Sequence, residues 1–166
     1  MRKSLISLTG ISVVITILFS ASTVEASTKL PFSLMTPDTR MFPFKVASVM
    51  PSVTVNGTKG IVVTEYQNVS KTDWLVEFAT NMNSRLDPIP KGYGVRVDLK
   101  GHVTAQYLDD GHLQRIQFTR NGVYYLLFAG RGTFKGWVGS AIRSYKPLTT
   151  EQKLTSIANS LVTNSK

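Results

Sequence analysis

The chain has no cysteine. That excludes disulfides, a thiol nucleophile, thiolate metal sites and lipid attachment through a thioether. A fold of this kind is held by its core alone. Histidine is almost as scarce, at two residues, His102 and His112. They show no close ligand spacing such as H-x-x-x-H, so a metal would need folding to join them to Asp109 or Asp110; otherwise they are ordinary surface histidines. No apolar run reaches the roughly 20 residues of a comfortable membrane span. Acidic residues are the remaining shortage, at 10 against 19 Lys and Arg, for a net charge of +9. Such an excess speaks of partners rather than fold: anionic lipid, wall polymers or nucleic acid on one reading, ordinary solubility charge on the other.

What is present begins with a three-part N-terminus. Arg2 and Lys3 precede the apolar run Ile11 to Phe19, and Val24-Glu25-Ala26 places small residues before a cut at Ser27. That is the layout of a secretory signal peptide over residues 1–26, with an uncleaved anchor as the competing reading. The expected product is a secreted, extracellular chain over 27–166, without a membrane span and in reach of the cell wall. It keeps 17 basic against 9 acidic residues, and its length suits a single domain with one core. Secretion without disulfides suits a bacterial product. Asn56-Gly-Thr58 and Asn68-Val-Ser70 match the glycosylation pattern but also serve as turn residues.

Residues 27–50 are punctuated by Pro31, Pro37 and Pro43, which suit an extended lead-in with a short strand at Phe44 to Val49. Ile61 to Asn68 and Asp73 to Met82 read as a hairpin, with Trp74, Val76 and Phe78 on one side. Asn83 to Tyr93 reads as a loop. From Gly94 to Gly130 alternation and turn residues predict four antiparallel strands in a meander, broken at Gly101, Asp110-Gly111 and Asn121-Gly122. Val123 to Ala129 is apolar on both faces, so both are covered. A Gly-rich turn then leads to a last strand at Trp137 to Tyr145. Residues 149–163 form the one good helix. Thr149 and Gln152 match a capping box, and Leu154, Ile157, Ala158, Leu161 and Val162 form one stripe.

Chemistry is thinly represented. No G-x-S-x-G element is present, and the glycines at 130, 132, 136 and 139 lack the Lys-Ser/Thr close of a phosphate loop. A small basic ribonuclease would need a Glu, a His and an Arg to converge; Glu65 or Glu77, His102 or His112, and Arg115 or Arg120 supply the types. A binding role draws on more residues. Arg115, Arg120, Arg131, Lys135, Arg143 and Lys146 crowd the second half, interleaved with aromatics. Cations beside aromatics suit an anionic or amphiphilic ligand. The candidate ligand-binding set is therefore Phe134, Trp137, Tyr145, Arg115, Arg120, Arg131, Lys135 and Arg143, with Phe134 and Trp137 foremost. Aromatics in strands also serve as core.

The segment 94–129 followed by 148–161 resembles a domain of unknown function found in exported and membrane-tethered proteins of Gram-positive bacteria. Gly101, Ala105 and Tyr107 fit its first element, Asn121, Gly122, Val123, Tyr125 and Leu127 its second, and Leu148, Ile157, Ala158, Ser160 and Leu161 its closing helix. Pro31-Phe32 and Pro37 resemble its Pro-rich opening; residues 131–144 have no counterpart. That family is similar in turn to the half-barrel domains of lipoprotein carriers and envelope-stress sensors. The resemblance implies a binding module for acyl chains or lipid-bearing partners, without catalytic residues or cofactor.

The expected fold is α+β: a curved antiparallel sheet of six to eight strands with the C-terminal helix packed on one face. The expected function is noncatalytic binding at the cell envelope, of a lipid-like or anionic ligand or a partner protein. A small basic nuclease and a purely structural envelope protein are the alternatives, and no metal, cofactor or nucleic-acid partner is expected of the favoured reading.

Overall fold

The computed structural model describes residues 29–82, 93–135 and 139–163. Seven strands build one open antiparallel sheet. β1 (Ser48–Asn56), β2 (Lys59–Gln67) and β3 (Asp73–Thr80) form one meander; β4 (Val95–Leu99), β5 (Val103–Asp109), β6 (Gln114–Arg120) and β7 (Val123–Arg131) form the other. The spatial order is β1-β2-β3-β7-β6-β5-β4. The meanders join where β3 pairs antiparallel with β7, in register from Asp73–Arg131 to Thr80–Tyr124. β1 and β4 are left as the two outer edges. Among the described residues no helix is long and apolar enough to cross a membrane.

Local chemistry explains the tight turns. Asn121 and Gly122 both have positive φ, 51° and 74°, as a primed two-residue turn demands. At the β5–β6 turn the Asp110 carboxylate accepts the backbone N–H groups of His112 and Leu113, at 3.0 and 2.8 Å. It thereby ties off donors that the change of direction would leave unpaired.

One face of the sheet carries the main core. The helix α1 (Glu151–Thr163) lies over the β4–β6 side and buries Leu154, Ile157, Ala158, Leu161 and Val162, the stripe the sequence marks. The lead-in crosses the remaining area. Its Met35 and Phe42 are buried in the same core as Val62, Tyr66, Leu75 and Tyr125, and Phe42 packs edge-on against Tyr66 at 5.1 Å. The Ser160 hydroxyl accepts the Asp38 N–H at 2.9 Å, joining lead-in to helix. The opposite face has a smaller core of Trp74, Val76, Leu113 and Tyr145, flanked by Phe134 and Ile142 from the segment after β7.

Three expectations differ in detail. β1 begins at Ser48 and runs to Asn56, past the expected short strand; Pro51 is tolerated because β1 is an outer strand. The last strand expected over 137–145 is a 3-10 helix at Gly139–Ser144, with only an isolated bridge between Arg131 and Lys146; residues 136–138 lie outside the described residues. β7 already has β3 and β6 on its two sides, so no ladder is left for a further strand to join. Finally, Thr150 rather than Thr149 caps α1: its hydroxyl accepts the Lys153 N–H at 3.2 Å. Thr149 is held elsewhere. Its N–H donates to Gln114 Oε1 at 2.7 Å, and its carbonyl accepts from Gln114 Nε2 at 2.6 Å.

Candidate functional site

The interleaved cations and aromatics after β7 separate into two layers. The aromatics point inward. The Trp74 ring lies 4.8 Å from both Phe134 and Tyr145, centroid to centroid, and Trp74 and Tyr145 are fully buried. Trp74 Nε1 donates to the Gly132 carbonyl at 3.0 Å, and the Tyr145 hydroxyl accepts the Lys135 N–H at 2.7 Å. Each polar handle is thus used to pin the segment that carries the cations. Gly130 makes this packing possible. It stands opposite Trp74 in register, and a Cβ there would overlap Trp74 Cζ2 and lie 2.7 Å from Cη2. Trp137, the other foremost aromatic, lies outside the described residues.

The cations point outward. Arg131 and Lys146 face each other across their bridge, with Arg131 N–H to Lys146 carbonyl at 2.8 Å and the reverse bond at 3.0 Å. Lys135, Arg143 and Lys146 are exposed, and none makes an ion pair among the described residues. Arg131 Nε donates to Asp73 Oδ1 at 2.8 Å, leaving its side chain 56% exposed. Arg115 is committed to Asp110 beneath this rim and is mostly buried. Burial opposes ionisation of Asp110, but the Leu113 and His112 amides and the Arg115 guanidinium outweigh it and hold the carboxyl below its ordinary value. His112 Nδ1 lies 3.2 Å from the Tyr145 carbonyl, so the tautomer with a proton on Nδ1 donates there.

Arg120 does not join the rim. It sits at the far end of β6, where a Cβ on Gly101 would meet its guanidinium at 2.9 Å and Val162 at 3.7 Å. That places the cation by the last turn of α1, where the helix dipole favours positive charge. Of the eight residues singled out by sequence, Phe134, Tyr145, Arg115, Arg131, Lys135 and Arg143 share one end of the sheet; Arg120 is at the other. Lys146 belongs with them.

The residues that could act as acid and base are scattered. His102 precedes β5 and His112 follows it, which separates them by about 20 Å or more at a strand's rise per residue. No group of three His, Asp or Glu suited to a metal occurs among the described residues. Glu65 lies on β2 in the row Glu65–Val76–Phe128–Arg115, three strands from the arginine.

Glu77 is the unusual titratable group. It is 1% exposed on the helix-side face of β3. Tyr66 donates its hydroxyl to Oε2 at 3.1 Å, and Oε1 is buried without a partner among the described residues. With no cation against it, burial pushes the carboxyl up to about 8, despite the Tyr66 bond that favours the charged form. Glu77 is therefore neutral at pH 7. A lone acid in the middle of the apolar run Trp74 to Ala79, WLVEFA, is the sequence signal for it.

The lead-in also carries an open hollow of about 520 Å³, lined by Thr39, Arg40 and the run Phe42 to Val46. Neither a family model, nor a curated protein, nor a solved structure matches this chain.

Proposed function

We propose that this chain is a noncatalytic, secreted binding module of the cell envelope. Its ligand is a polyanion or an anionic membrane surface, met by Arg131, Lys135, Arg143 and Lys146. One observation carries the reading: three exposed cations, without ion pairs among the described residues, are displayed on a segment whose Phe134 and Tyr145 rings pack against Trp74 of the sheet. A pinned display reduces the ordering that contact with an anion would otherwise require. Unpaired exposed cations also release counterions on binding, which makes affinity fall steeply with salt.

The direct experiment is cosedimentation with vesicles of anionic or of zwitterionic lipid, and with a soluble polyphosphate-backbone polymer. Binding to the anionic partners is expected, with a log–log salt slope of roughly −3 for three engaged cations. A triple Lys135→Glu, Arg143→Glu, Lys146→Glu variant should lose it. Binding to zwitterionic vesicles alone, or RNA hydrolysis at neutral pH, would overturn the reading.

A second reading, capture of a lipid-like ligand, draws on the hollow in the lead-in. Phe42 and Phe44 stand 5.6 Å apart there beside Arg40 and Lys45, an apolar wall next to positive charge. A soluble anionic amphiphile that bound the triple variant as well as the wild type would favour it.

A further inference from the structure

The outer strand β1 is built unlike a protected edge. Sheet edges are normally blunted by charge, brevity or a bulge, because their free N–H and C=O groups recruit other strands. β1 has nine residues paired without interruption to β2. No charged residue occurs from Val46 to Thr58, in a chain of net charge +9. Val49, Met50 and Val53 are 52%, 45% and 47% exposed, and they lie on both faces of the strand.

The register fixes which backbone groups are free. The β1–β2 turn is Gly57-Thr58, so the flanking pair Asn56–Lys59 exchanges hydrogen bonds and every second pair after it does the same. Gly60 agrees with this: its N–H and C=O are taken by Asn81 and Thr80 on the β3 side. Val49, Pro51, Val53 and Val55 therefore turn their backbone groups to the open edge.

We infer that β1 is a self-association edge, at which two copies of this chain pair antiparallel about a two-fold axis through Ser52. Full overlap sets Val49 against Val55 of the second copy and Pro51 against Val53 on the helix-side face. On the other face it sets Met50 against Thr54 and Ser52 against its own equivalent. Apolar meets apolar and polar meets neutral, so the strand is complementary to itself, as a two-fold interface requires. The two prolines lack donors, which leaves about six inter-copy hydrogen bonds. One continuous sheet then runs through both copies. Only an extended backbone satisfies this row of groups, and of the two edge strands β1 is the uncharged one, so two basic chains meet there without direct repulsion within the strand, whereas β4 carries Arg96 and Asp98. The same register brings Lys45 near Lys59 of the second copy at each end, so salt strengthens the pairing. This inference is independent of the anion-binding rim, which salt weakens.

Sedimentation equilibrium of the purified protein at low and high salt tests it. A concentration-dependent dimer is expected, tighter in high salt. Val53→Pro removes an outward donor that no described residue uses, and Val53→Lys places a charge at the joint; each should weaken the dimer about tenfold or more while the monomer keeps its melting temperature. Amide exchange on the unaltered protein gives a readout that needs no variant. Val49, Val53 and Val55 should gain protection as concentration rises, whereas Ser52 and Thr54, bonded to β2, should not. A monomer at all concentrations to about 1 mM, a dimer that neither variant moves, or unchanged exchange at the three valines would overturn the proposal. So would pairing with foreign extended peptides in the absence of self-association.

Discussion

Replacing Glu77 with glutamine should stabilise this protein at neutral and alkaline pH and leave it unchanged in acid. The side chain keeps its shape and still accepts from Tyr66, but it can no longer ionise. In the unfolded chain a glutamate loses its proton near 4.3; in the fold, burial delays that loss to about 8. Across this window the folded state holds a proton that the unfolded state has released, so stability falls as pH rises, by about 1.4 kcal/mol per pH unit. The accumulated cost is about 4 kcal/mol by pH 7, levels off at about 5 kcal/mol just above pH 8, and is absent below about pH 4. With an m-value of about 1.5 kcal/mol per molar urea, typical of small domains, the variant should unfold about 2–3 M later than the wild type at pH 7. Urea titrations at several pH values, read by fluorescence, measure the gap. Other carboxylates titrate in both proteins, so the difference isolates this one. A gap that does not widen from pH 4 to pH 8, or a variant less stable than wild type at pH 8, would refute the reasoning.

Four further outcomes follow from the packing. Leu161→Ala or Ile157→Ala, both fully buried in the helix stripe, should cost about 2–5 kcal/mol in chemical denaturation. Gln114→Ala should cost at least about 2 kcal/mol, because Gln114 Oε1 accepts the Leu148 and Thr149 amides where the chain turns into α1. Gly130→Ala drives a methyl into the fully buried Trp74 ring and should cost about 1–3 kcal/mol, with a change in the near-UV tryptophan signal. Thr150→Ala should cost about 1 kcal/mol through its cap, and Thr149→Ala less.

Legibility in the sequence followed how local each signal was. The meander over β4–β7 was readable because Gly101, Asp110-Gly111 and Asn121-Gly122 punctuate strict alternation, and the helix because its stripe repeats at helical spacing. β1 was underestimated: Pro51 argues against a central strand, and nothing local tells a chain that a strand will be outermost. The segment after β7 misled for the opposite reason. Alternation there resembles a strand, yet β7 has both neighbours already, and Phe134 and Tyr145 are apolar because they meet Trp74, far away in sequence. That same contact turned two candidate ligand-binding rings into anchors. The cations beside them were legible as a cluster. Their division into Arg115 and Arg131, which are paired, and Lys135, Arg143 and Lys146, which have no ion pair among the described residues, depended on Asp73 and Asp110, which only the fold brings near.

The rim is the functional claim, and the salt dependence of its binding is the measurement that reaches it most directly. Titration of anionic vesicles across a range of sodium chloride, with wild type and the Lys135→Glu, Arg143→Glu, Lys146→Glu variant in parallel, should give a steep negative slope for the first and little binding by the second. Equal binding by the two proteins, or an affinity indifferent to salt, would contradict it.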